Sequence, residues 1–103
     1  MRHLLIAAAL GALILPAVPT PAEAGPIQTA CQRSDRAGAT RQLCACIQQV
    51  ANRHLNRSDQ RQAARFFRDP DRAQQVRASR TDRDRAFWQR YRAFTDSAQE
   101  QCR

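Results

Sequence analysis

Cys44-Ala45-Cys46 is the densest cluster of reactive side chains in the chain. In a loop, a Cys-x-Cys pair can chelate copper or zinc through two thiolates, with His54 as the nearest nitrogen donor. On a helix, residues two apart diverge by about 200° around the axis. Each thiol then faces a different neighbour, and neither can bond the other. No Cys-x-x-Cys of the redox type is present. With Cys31 and Cys102 the thiols number four. An even count suits two disulfides if the chain reaches an oxidising compartment.

The other groups that could carry chemistry are spread out. His54 is the only histidine after His3, and it falls on an apolar face where a buried or half-buried hydrogen-bonded ring is expected. No serine sits in a Gly-x-Ser-x-Gly setting. The acids Asp35, Asp59, Asp69, Asp71, Asp82, Asp84, Asp96 and Glu100 are scattered among arginines, where they suit helix caps and surface ion pairs. No paired-carboxylate site is visible, so the chain reads as non-enzymatic, with no cofactor and no metal site. Arg61, Arg65, Arg68 and Arg72 recur at i, i+4, i+7, i+11. Arg85, Trp88, Arg90 and Arg92 interleave with Phe87, Tyr91 and Phe94. Tryptophan and arginine are enriched at binding hot spots, so these eight residues are the candidate contact surface.

The N-terminus supplies the compartment. Met1-Arg2-His3 is a short positive region, and Leu4 to Leu15 is apolar. Pro16, Pro19 and Pro21 break any helix, and Ala22-Glu23-Ala24 offers the small–x–small pattern of a signal-peptidase site. The apolar stretch spans about 18 Å as a helix, short of the ~30 Å hydrocarbon core. The expected organisation is a signal peptide over 1–24, cleaved after Ala24, and a single domain over 25–103 in the periplasm or medium. No apolar run in the mature part could cross a membrane.

Charge then narrows the partner. The chain carries 17 basic and 9 acidic residues, a formal net charge of +8. Removing the leader costs Arg2 and Glu23 and leaves that balance unchanged. Every basic residue is arginine, whose planar fork pairs bidentately with carboxylates and phosphates. Outside the cytoplasm nucleic acid is a poor partner. Anionic envelope surfaces and acidic proteins are the fitting ones.

The elements that must position these residues all read as helices, with no alternation of period two. Helix is expected from Ile27 to Ser34, after Pro26 and before a turn at Ser34–Gly38. A second runs from Ala39 to Leu55, with Leu43, Cys46, Ile47, Val50 and His54 as its inner stripe and Cys44, Ala51 and Leu55 flanking. Ser58 is the expected N-cap of a third, from Asp59 to Arg68. Asp69-Pro70 opens a weak fourth, to Arg80. Thr81 and Asp84 resemble a capping box before a long last helix. There Phe87, Tyr91, Phe94, Ala98 and Cys102 form one stripe. The fold class is therefore all-α, a small disulfide-stapled bundle of about four to five short helices. Cys31–Cys44 with Cys46–Cys102 is the favoured pairing, because Cys46 is read as nearer the centre of the inner face. Cys31–Cys46 with Cys44–Cys102 stays open.

Several segments, taken together, carry a resemblance. Thr29-Ala30-Cys31, Leu43-Cys44-Ala45-Cys46-Ile47, Phe66-Phe67-Arg68-Asp69-Pro70, Ala86-Phe87-Trp88-Gln89-Arg90-Tyr91 and the terminal Cys102 resemble a family of short exported alphaproteobacterial proteins. That family has four cysteines and is often labelled "arginine transporter". The resemblance implies an accessory role in arginine or amino-acid transport, since a permease needs several membrane spans. The leading expectation from the residues is a periplasmic or secreted binder of an anionic surface or acidic protein. Metal or redox handling through Cys44, Cys46 and His54 is the remaining alternative.

Overall fold

A computed structural model describes Gly11 and residues 24–103. The leader read over 1–24 lies, apart from Gly11 and Ala24, outside the described residues. Five helices follow one another: α1 Pro26–Arg33, α2 Arg41–His54, α3 Arg57–Arg68, α4 Pro70–Ala78 and α5 Asp82–Gln101. No strand occurs among the described residues. The chain is an all-α bundle with two disulfides, Cys31–Cys44 and Cys46–Cys102. α1 packs against both α2 and α3, α5 packs against α2, and α4 links α3 to α5.

Local chemistry sets the boundaries. Thr40 caps α2 by accepting from the Leu43 amide at 3.1 Å. Thr81 caps α5 by accepting from the Asp84 amide at 3.2 Å. The third helix starts two residues earlier than expected. Asn56, rather than Ser58, is the N-cap, accepting from the Asp59 amide at 2.8 Å. The cause lies in the corner between α2 and α3, which is only Leu55 and Asn56. Leu55 is buried and pins the corner, so the helix must begin at once. Asp69 is the expected N-cap residue of α4, but its side chain makes no cap bond. Its amide already ends α3 by donating to the Arg65 carbonyl at 2.9 Å, and its backbone geometry serves that bond.

The inner face of α2 is rotated from the expected stripe. Cys44, Gln48, Val50 and Ala51 are the buried residues of α2, whereas Leu43, Cys46 and His54 are half-buried. Ile47 packs against the core beside them. The centre of the face is thus Cys44 rather than Cys46, although the favoured disulfide pairing holds. α2 is covered on two flanks, by α1 and by α5, and a single stripe underestimates so wide a buried arc.

Ile27, Val50, Ala51, Leu55, Ala63, Phe66, Val76, Phe87 and Phe94 form the apolar core. Phe66 stands edge-on to Phe87 and Tyr91, with centroids 6.0 and 5.3 Å apart, a favourable aromatic geometry. The α5 stripe is as expected at Phe87 and Phe94, while Tyr91, Ala98 and Cys102 border the core.

A polar knot lies beside this core. Gln48, on α2, is 5% exposed and Gln60, on α3, is 7% exposed. The Gln48 side-chain amide donates to Gln60 Oε1 at 2.7 Å and to Asn52 Oδ1 at 2.9 Å. Its oxygen accepts from the backbone N–H of Gln28 at 2.9 Å. Gln60 in turn donates to Asn52 Oδ1 and to the Leu55 carbonyl, both at 3.1 Å. Both amide hydrogens of each glutamine are therefore used. The Gln28 N–H is one of the orphan donors at the start of α1. The α1 N-cap, Gly25, has no side chain to satisfy it, and Gln48 supplies the cap from another helix. A Cβ at Gly25 would meet the Gln48 side chain at 2.5–2.8 Å, and φ there is +88°. The missing side chain at 25 is the space that Gln48 fills.

Gln48→Leu keeps the volume and removes the knot, stranding the Gln28 N–H and the Gln60 oxygen. Each buried unsatisfied group costs about 1–3 kcal/mol. Thermal unfolding should therefore fall by roughly 10 °C. A melting temperature within a degree or two of the parent would show that the knot contributes nothing.

Candidate anion-binding grooves

All basic residues of the chain except Arg2 lie within the described region, and among those residues a single ion pair forms. Arg90, on α5, grips Asp59, on α3. Its Nε donates to Oδ2 at 2.8 Å and its second nitrogen to Oδ1 at 3.0 Å. The Asp59 side chain is 8% exposed and that of Arg90 44%. The bidentate fork holds the Arg90 guanidinium above its ordinary pKa, an effect that partial desolvation opposes. Arg90 is therefore committed within the fold, and Asp59 is a buried anchor rather than a surface acid.

The other predicted contact residues divide. Arg61, Arg65, Arg68 and Arg72 are all exposed but do not form one row. Arg61 and Arg68 look into a groove between α1 and α3, while Arg61, Arg65 and Arg72 line a second groove between α3 and α4. Helical geometry explains the division. Residues seven apart nearly superimpose around the axis, whereas residues four apart are offset by about 40°. Within α3, Arg61 and Arg68 therefore share one row and Arg65 is offset beside it, while Arg72 reaches the second groove from α4. Arg85 and Arg92 are exposed on α5 and line neither groove, and Trp88 is half-buried against the core, its ring 5.1 Å from that of Tyr91.

The first groove has a volume of about 890 Å³. Arg33 and Arg36 stand on one side, and Arg57, Arg61 and Arg68 on the other. Pro26, Ala30, Ala64 and Phe67 give it an apolar lining, and Asp35 is its one carboxylate. The Arg36 guanidinium lies over the Phe67 ring, 5.5 Å from its centroid, a cation–π contact. The second groove, of about 510 Å³, is more polar and brings Arg83 and Asp84 to the same arginines. Sequence reasoning missed Arg33, Arg36 and Arg57 as site residues. They lie on different elements, and only the packing of α1 on α3 unites them.

The thiol chemistry considered above finds no donors. Cys44 and Cys46 are each bonded to a different cysteine and no free cysteine remains, so no thiolate is left for a metal. His54 is half-buried at the end of α2, and among the described residues its ring makes no hydrogen bond. Comparison of the chain with protein-family models, with curated proteins and with solved structures gives no match.

Tyr91 sits in the aromatic cluster with Phe66, Phe87, Trp88 and Phe94. Burial pushes its pKa above the ordinary value by penalising the phenolate, and the charge of Arg36 partly offsets this. It is the chain's only tyrosine. Its phenolate absorbance should titrate above the value of about 10 seen in unfolded chains. The unfolded chain then loses its proton first, so the associated stability is present below about pH 10 and is lost as pH rises through the native value. Tyr91→Phe should abolish that alkaline loss; an unchanged profile would contradict the assignment. Arg90→Ala leaves Asp59 buried without its partner and should cost about 1–2 kcal/mol, the exposure of Arg90 screening the rest. Arg65→Ala, at a site with no internal partner, should leave the denaturation midpoint within about 0.5 kcal/mol of the parent.

Proposed function

We propose that this protein is a non-enzymatic binding module, exported to the periplasm or medium, whose arginine surface engages an anionic partner. The observation that carries this reading is the state of the arginines. Across the described residues one guanidinium is spent on an internal ion pair, and the others present their charge outward. A fold that used arginine for its own stability would pair it with the eight acids available in the same region. Here those acids leave the surface charge uncancelled. Self-repulsion of that kind destabilises a compact state, and two cross-links offset it by restricting the unfolded chain. Disulfides also suit an oxidising compartment. Among the described residues no helix is long and apolar enough to cross a membrane, which fits the absence of a mature span.

The exported protein should be retained at low salt on polyglutamate resin, on anionic vesicles, or on both. Retention should fall as salt shortens the Debye length from about 30 Å at 0.01 M to about 8 Å at 0.15 M. Failure to bind any of these surfaces at low salt would overturn the reading.

A further inference from the structure

We infer that the groove between α1 and α3 is a docking site for an extended, carboxylate-rich polypeptide segment with an apolar side chain between its acids. This rests on the anionic-partner reading above and commits it to one site and one class of ligand. Three observations carry it.

The first is charge placement. Arg33 and Arg36 face Arg57, Arg61 and Arg68 across one concavity whose single carboxylate is Asp35. None of these five makes an ion pair or a hydrogen bond from its side chain within the described region, and Arg36 is engaged only with the Phe67 ring. Carboxylates entering between the walls would meet guanidinium forks on both sides, the bidentate geometry that arginine favours.

The second is spacing. Arg57 and Arg61 are four residues apart on α3, about 6 Å along its axis. In an extended chain, side chains at i and i+2 point the same way and lie about 6.6 Å apart. Arg57 to Arg68 covers about 16 Å of helix, which an extended chain spans in about five residues. A segment of five or six residues with acids at alternate positions therefore matches the Arg57–Arg61 step and is long enough to reach Arg68.

The third is the floor. Ala30, Ala64 and Phe67 give the groove an apolar base beneath its charged rim. A ligand side chain facing the other way from the acids would rest there. A bilayer fits this site less well. Every Leu, Ile, Val, Phe, Tyr and Trp among the described residues is buried or half-buried, so no apolar wedge projects from the fold. A concave site also cannot lie flat on a lipid surface.

The test measures binding of a synthetic alternating Asp–Leu hexapeptide, polyaspartate and phosphatidylglycerol vesicles to the exported protein at constant moderate salt, where the Debye length is about 10 Å. The Asp–Leu peptide should bind more tightly than polyaspartate of equal charge. Arg57→Glu and Arg68→Glu should each weaken it roughly tenfold or more. The equal charge changes Arg77→Glu and Arg85→Glu, outside both grooves, should weaken it less than about twofold at moderate salt. Arg57→Gln serves as a milder second variant, and an unchanged melting temperature checks that each protein is folded. Equal weakening by all four reversals would leave an anionic partner in place but overturn the groove. Binding to vesicles without binding to the peptide would do the same in favour of a lipid surface. Equal affinity for both peptides would overturn the role of the apolar floor.

Discussion

One side-chain amide ties three helices of this bundle together. Gln48 accepts from the first turn of α1, bonds Asn52 on its own helix and reaches Gln60 on α3. α2 and α3 are consecutive and this polar tie joins them directly, while α1 packs against both. An eight-residue helix is marginal in water by itself. α1 persists because both of its ends are held: Gln48 caps the start, and Cys31, in the last turn, is bonded to Cys44. The groove facing α3 inherits its wall from that double anchorage. Buried amides are also demanding, since a network in low dielectric is stabilising only when every donor is satisfied. Here no buried side-chain nitrogen or oxygen among the described residues lacks a partner.

The disulfides and the polar knot divide the work. Cys31–Cys44 fastens α1 to the first turn of α2, and Cys46–Cys102 fastens the end of α5 to the second turn from the opposite side. The two cysteines on α2 point apart, as residues two apart on a helix must. They become the two sides of one central strut. Ion pairing contributes a third tie, Asp59 to Arg90, between α3 and α5. Cys46–Cys102 and Asp59–Arg90 join elements distant in sequence, while Cys31–Cys44 closes the neighbouring pair α1 and α2, staples that suit a small core with limited apolar area.

Helix content and the α5 stripe were legible because each depends on local period alone. For the disulfides the period shows only that Cys44 and Cys46 take different partners, and the favoured pairing rested on a central Cys46 where the buried centre is Cys44. Phe87 and Phe94 recur at helical spacing, and Cys44 and Cys46 cannot meet on a helix. Gln48 and Gln60 were not legible. A pattern of apolar residues places glutamine outside, and only a facing amide from another helix makes its burial favourable. The same holds for Asp59, whose neighbour Arg90 lies 31 residues away. The stripe on α2 was misplaced towards Cys46, because periodicity assumes one covered face and α2 has two. The arginine run was legible as charge, and the offset of Arg65 from Arg61 by about 40° is inherent in α3. Which arginines face which groove depends on where α1 and α4 lie against α3, and no feature within α3 encodes that.

The arginine-only surface has a consequence for control. A guanidinium does not lose its proton at any pH where a protein stays folded, and lysine acetylation, the common way to erase positive charge after synthesis, has no substrate side chain here. The charge of this face is thus a constant of the molecule once it is made. Any switching of its interactions has to reside in the solution or in the partner, through ionic strength or through the protonation of the carboxylates that it meets.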